Sequence, residues 1–98
     1  MPRTLDSTLR YSGVSDVVAY TGTQGQSVAV PANIHDVRVV CTSNAWINIG
    51  TDPTATAGDN SLYLPAGVVE YLHITPGQKI AAVQDSASGN LCVGFMTR

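Results

Sequence analysis

The stretch that decides the fold is Asp36-Val37-Arg38-Val39-Val40-Cys41-Thr42, then Ser43-Asn44, then Ala45-Trp46-Ile47-Asn48-Ile49. Val37, Val39 and Cys41 fall on one face of an extended chain, and Arg38, Val40 and Thr42 on the other. Such a strand can be covered on both sides. Ser43 and Asn44 form a two-residue link, so the second run reads as the hairpin partner of the first. Ile47 and Ile49 would then point inward, with Trp46 and Asn48 opposite.

The same punctuation recurs on both sides of this unit. Short runs rich in Val, Ile, Tyr and Thr alternate with clusters of Gly, Pro, Asn and Asp. Upstream, strands are expected over Asp16 to Thr21 and Gln26 to Val30. Downstream they are expected over Ser61 to Leu64, Val68 to Ile74, Lys79 to Gln84 and Leu91 to Met96. Thr75-Pro76-Gly77 fits a type II turn, with Pro first and Gly second of the central pair. Eight strands at intervals of about ten residues predict an all-β sandwich of jelly-roll or Greek-key character. Helical spacing is confined to Pro2 to Tyr11, where Leu5 and Leu9 are four apart. An extended arm fits that stretch equally well. The expected organisation is an arm or helical turn over residues 1–12 and one sandwich over residues 13–98.

Only 12% of the 98 residues are charged, against 44% apolar. Globular domains average about 25% charged, so this surface is unusually neutral, which suits a chain covered in an assembly and equally a polar, uncharged monomer. The net charge is −2, and Arg3, Arg10, Arg38, Lys79 and Arg98 are scattered. Nucleic-acid binding needs such charges grouped on one face, so a nucleic-acid partner is not expected. No apolar run reaches membrane-spanning length, and the opening residues lack the apolar core of a signal peptide. Cys41 and Cys92 each lie in an apolar run and read as buried free thiols. A disulfide requires their strands to be neighbours.

No catalytic, metal or cofactor residues are assigned. His35 and His73 are the two histidines, and no His-x-His pair occurs. A metal site needs three or four converging ligands, and His35 and Asp36, being adjacent, point apart on a strand. Triads assemble in space, but the chain carries neither a nucleophile elbow nor a cysteine with a supporting local signature. Asp52 and Asp59 share a loop whose spacing matches no calcium-binding loop of the EF-hand type. Trp46, Tyr63 and Tyr71 have two readings, as core residues or as exposed platforms for a sugar ring or a protein. Trp46 leans to the core and one of the tyrosines to an interface.

From Val37 onward the order of pieces resembles a group of short proteins encoded among the virion structural genes of tailed bacteriophages and prophages. The pieces are Val37 to Thr42, Trp46-Ile47-Asn48-Ile49-Gly50, Asp52-Pro53-Thr54-Ala55-Thr56-Ala57, Tyr63-Leu64-Pro65-Ala66-Gly67, Glu70-Tyr71 and Thr75 to Ala81. The opening, Met1-Pro2-Arg3-Thr4-Leu5-Asp6, fits the group as well. The resemblance implies a virion component, assembled in the host cytoplasm, and brings no catalytic residue with it. A capsid decoration (cement) protein, stapling the outer shell, is the expected role. Its partner would be the major capsid protein or another virion protein, and a homotrimer suits three-fold positions. A head–tail junction, tail or fibre-base component is one alternative, and a carbohydrate-binding module another. Two contact segments are expected. Pro2, Arg3, Leu5, Leu9 and Tyr11 represent the arm, and Thr51, Asp52, Pro53 and Thr54 the longest loop. Tyr63 and Tyr71 complete the candidate interface. Deleting residues 2–11 is expected to leave a folded sandwich that no longer binds shells.

Overall fold

A computed structural model describes residues 9–97 and contains no α-helix among them. Eight strands follow in chain order: β1 (Arg10–Tyr20), β2 (Gly25–Gln26), β3 (Asp36–Cys41), β4 (Ala45–Gly50), β5 (Leu62–Leu64), β6 (Glu70–His73), β7 (Lys79–Gln84) and β8 (Gly89–Thr97). They form two four-stranded antiparallel sheets. Sheet A has the order β1-β8-β3-β6, and sheet B the order β2-β7-β4-β5. The chain thus crosses between the sheets at every connection except that from β4 to β5, which is the jelly-roll arrangement of two interlocked Greek keys.

Period-two alternation fixes what lies between the sheets. Val37, Val39 and Cys41 of β3 face inward beside Leu91, Val93 and Phe95 of β8. Ile47, Leu64, Ile80 and Ala82 approach them from sheet B. Phe95, Val37 and Ile80 are fully buried. Each large apolar side chain so buried contributes about 1.5–3 kcal/mol.

Besides the strand expected over Gln26 to Val30, which is only Gly25–Gln26, two sequence expectations need correction. The first concerns the start of β1. Arg10, Tyr11 and Ser12, assigned to the arm, belong to the strand, with Arg10 opposite Thr97 and Tyr11 opposite Met96. The first strand is expected to begin only at Asp16, beyond Gly13. Instead Gly13 has φ +91° within a register shift between Tyr11 and Ser15, so the strand continues through a bulge. Deleting residues 2–11 would therefore remove two rungs of sheet A. Pro2, Arg3 and Leu5 lie outside the described residues.

The second correction concerns Ser43 and Asn44. The strands on either side do not form a hairpin, because β3 lies in sheet A and β4 in sheet B. A two-residue hairpin needs positive φ at one or both central residues, and neither Ser43 nor Asn44 has it. The link is a corner that carries the chain across the sandwich. It is pinned from several sides. The Tyr20 hydroxyl donates to the Ser43 carbonyl at 2.6 Å, and Ser43 Oγ donates to the carbonyls of Ala87 and Ser88. Asn44 Oδ1 accepts the Ala66 amide. A side chain at Gly89 would run into Ser43 Oγ, with Thr42 Oγ1 and the Tyr20 hydroxyl within 2.8 Å, so this corner requires glycine there.

Cys41 faces the core and Cys92 the outside of the same sheet, and both are free thiols. Burial pushes the Cys41 thiol and the Tyr20 phenol above their ordinary ranges. Both groups therefore hold their protons more tightly folded than unfolded. Stability from this source is full below the ordinary thiol range and falls as pH rises through it. The urea midpoint is expected to hold to about pH 8 and to decline above about 8.5. In a Cys41→Val chain the decline should begin only in the phenol range. An identical onset in both chains would contradict a buried Cys41.

Candidate interface

The outer faces of the two sheets differ, and the difference traces to one loop. On sheet B, the outward row of Trp46, Val83 and Ala81 is covered by residues 51–60, which fold back over it. Pro53 and Ala55 of that loop are buried, and Ala55, Ala81, Val83 and Trp46 form a small second core. The loop is latched to the residues around β2. Gln24 donates to the Pro53 carbonyl at 3.1 Å and accepts the Ala55 amide. Gln26 Nε2 donates to the Pro53 carbonyl and to Asp52. Asn48 donates to the Thr54 carbonyl at 3.0 Å. Thr51, Asp52 and Thr54 are exposed as expected, but Pro53 holds the loop down.

Trp46 belongs to neither expected class. It is half-buried on the outside of sheet B, its ring 4.9 Å from that of Tyr63 at a 52° tilt. Its indole N–H donates to Asp85 at 3.0 Å.

Sheet A has no comparable cover among the described residues. Cross-strand register sets the outward side chains around its centre in three rows. One row is His73, Asp36, Met96 and Tyr11; the next is Tyr71, Arg38, Gly94 and Ser15; the third contains Val40, Cys92 and Val17. Tyr11 is 56% exposed, Val17 60% and Tyr71 55%. Val68 and Val69, leading into β6, are exposed too. The candidate tyrosines therefore separate. Tyr11 and Tyr71 share the open face of sheet A, whereas Tyr63 stands on the opposite side of the molecule. Leu9 is half-buried beside the start of β1.

One end of the open face is polar. The rings of His35 and His73 stack with centroids 6.3 Å apart, and His73 Nδ1 lies 3.6 Å from Asp36 Oδ1. Among the described residues no group of three or more His, Cys, Asp or Glu side chains is placed to hold a metal ion.

Sequence reasoning missed Arg38, Val17, Cys92, Gly94 and Met96 as members of this face. Alternation over Asp36 to Thr42 did separate Arg38 and Val40 from the core side. What brings them beside Tyr71 and Tyr11 is pairing between strands distant in sequence.

No protein-family model matches the chain, and no curated protein matches it. Among solved structures it is similar to an RmlC-like cupin protein from Desulfovibrio desulfuricans. The identity is 13% and the TM-score 0.36, over 96% of this chain and 89% of that one. The jelly-roll assignment rests on the strand order of this chain, not on that likeness.

Proposed function

We propose that the chain is a structural component of a tailed-bacteriophage particle, acting by binding and not by catalysis. The role it fits best is a capsid decoration protein that binds and stabilises the outer shell. The observation that carries this reading is the open apolar face of sheet A. A small chain with Tyr11, Val17, Val69 and Tyr71 exposed on one side offers a protein-docking patch rimmed by polar groups. The resemblance of residues 37–98 to virion proteins supplies the partner class, the major capsid protein or another virion protein. The neutral composition supports repeated packing in an assembly.

The edges fit an assembled life as well. Sheet B ends in strands of two and three residues, too short to template further pairing. Sheet A ends in β1, bent by the Gly13 bulge in its ladder with β8, and in the four-residue β6. Docking onto the shell through the flat of sheet A, with copies grouped as trimers at three-fold positions, is compatible with these short or bent edges.

Copy number in purified particles tests the reading, by quantitative mass spectrometry against the major shell protein. Hundreds of copies, on the order expected for a lattice of repeated sites, would support decoration. Roughly six to twelve would place the chain in a neck, tail or fibre-base ring. Absence from particles would overturn the virion reading. A sugar-binding module would then lead, with the Trp46–Tyr63 pair as its platform. Glycan-dependent quenching of Trp46 fluorescence would follow from that second reading.

A further inference from the structure

The open face of sheet A has a hollow at its centre, and one residue causes it. In the middle row the side chains of Tyr71 and Arg38 are followed by Gly94, which has none. The rows above and below keep theirs. The result is a groove of about 330 Å³ whose walls include Tyr11, Val17, Arg38, Cys92 and Met96, with Gly94 in the floor. A glycine inside a strand commonly marks a close approach of backbone or ligand. Among the described residues no close approach demands this one. A Cβ built at Gly94 meets nothing nearer than 3.9 Å, its neighbours being Arg38 and Tyr11.

Charge selects the occupant. Arg38 is exposed at the groove, and among the described residues no carboxylate oxygen lies within 4 Å of its guanidinium. Asp16 also borders the groove, but its carboxylate is already engaged. Oδ1 accepts the Val17 amide and Oδ2 the Val28 amide, each at 2.9 Å. Asp36, one row away, faces His73. Asp16 keeps its negative charge while both its oxygens hold backbone amides, so the donor group that the groove offers a ligand is the Arg38 guanidinium, on apolar walls.

We propose that this groove takes an extended segment of the partner protein in which a large apolar side chain stands beside a carboxylate. The apolar group fills the hollow over Gly94, and the carboxylate pairs with Arg38, whose planar fork suits it. That the partner is a protein rests on the particle reading above. A second copy of the chain docked face to face is a poorer fit. Two-fold pairing centred on Arg38 would set one guanidinium against the other, while the carboxylates beside it, Asp16 and Asp36, are already engaged by backbone amides and by His73.

The test is an NMR titration of the ¹⁵N-labelled chain with the blocked pentapeptide TLDLT and its TLNLT and TLKLT counterparts. TLDLT should move the amides of Tyr11, Arg38, Cys92 and Gly94 and saturate. TLNLT should bind about five- to tenfold more weakly, having lost the charged hydrogen bond, and TLKLT should not saturate. Arg38→Gln should bring TLDLT down to the TLNLT level. Gly94→Val should fold normally, since space for the side chain exists and valine suits a strand, yet bind no peptide. Shifts outside the groove only, equal binding of the three peptides, or unchanged binding by Gly94→Val would each overturn the proposal. Co-sedimentation with particles separates it from the reading beneath it. Wild-type and Gly94→Val chains that both sediment with particles would sink the groove and spare the virion role. Peptide binding without any sedimentation would do the reverse.

Discussion

Phe95→Ala is expected to lower the unfolding free energy by about 3–5 kcal/mol, the range for truncating a buried aromatic. Phe95 is fully buried, pairs with Val37 across β3 and β8, and lies in the main core between the sheets. Its neighbours come from both sheets, so they cannot collapse into the space without moving one sheet toward the other. A chain of 98 residues has about 5–15 kcal/mol in total, and this loss is a large part of it. Urea denaturation followed by Trp46 fluorescence would read the change as a midpoint lowered by about a fifth or more, with an unchanged slope. Val17→Ala provides the contrast. Val17 lies on the other face of the sheet and is 60% exposed, so its truncation should stay within about 0.5 kcal/mol. Equal effects of the two substitutions would mean that the faces of sheet A have been exchanged.

That contrast shows where the sequence is informative. Period-two alternation is a local signal, and it placed β3, β4 and β7 to within a residue, along with the inward set Val37, Val39 and Cys41. The turn at Thr75 to Gln78 was equally legible. Pro76 and Gly77 define it, Gly77 has φ +92°, and the Gln78 amide donates to the Thr75 carbonyl. Local signals failed where one residue type serves two geometries. The first strand reads as starting at Asp16, yet it begins at Arg10 and bends through Gly13. Ser43-Asn44 reads as a hairpin turn, yet with negative φ it becomes a corner between sheets. The loop over residues 51–60 reads as a free contact surface. Its burial depends on Gln24 and Gln26, about thirty positions away in the chain, whose amides have no local pattern announcing them. The groove was illegible for a related reason. Arg38 and Gly94 meet only because β3 pairs with β8 in one particular register, and that register is set by the whole inward face at once.

Replacing both Tyr11 and Tyr71 by alanine is expected to weaken association with particles about 100-fold, while Tyr63→Ala leaves it within about twofold. The estimate takes each exposed aromatic as an anchor contributing at least about 1.4 kcal/mol, a factor of ten, with the two acting independently. Independence is reasonable on geometry. The two residues stand on the edge strands β1 and β6 of one sheet, three inter-strand spacings apart, or on the order of 14 Å. Between them lie Arg38 and Gly94, so a partner that reaches both tyrosines must also cover the groove. Neither tyrosine is in the core, and melting temperatures should change little. Tyr63 carries its own control, because its ring lies 4.9 Å from Trp46, so its removal must alter the indole fluorescence even when binding is untouched. Sedimentation with purified particles over a range of chain concentrations reads all three variants. If Tyr63→Ala abolishes binding and the double variant retains it, the contact surface is the loop-covered face of sheet B. The open face would then need another occupant, and the groove at Gly94 another explanation. If the double variant alone fails, the uncovered sheet is the docking surface. The asymmetry between a latched face and an open one is then what this fold provides for function.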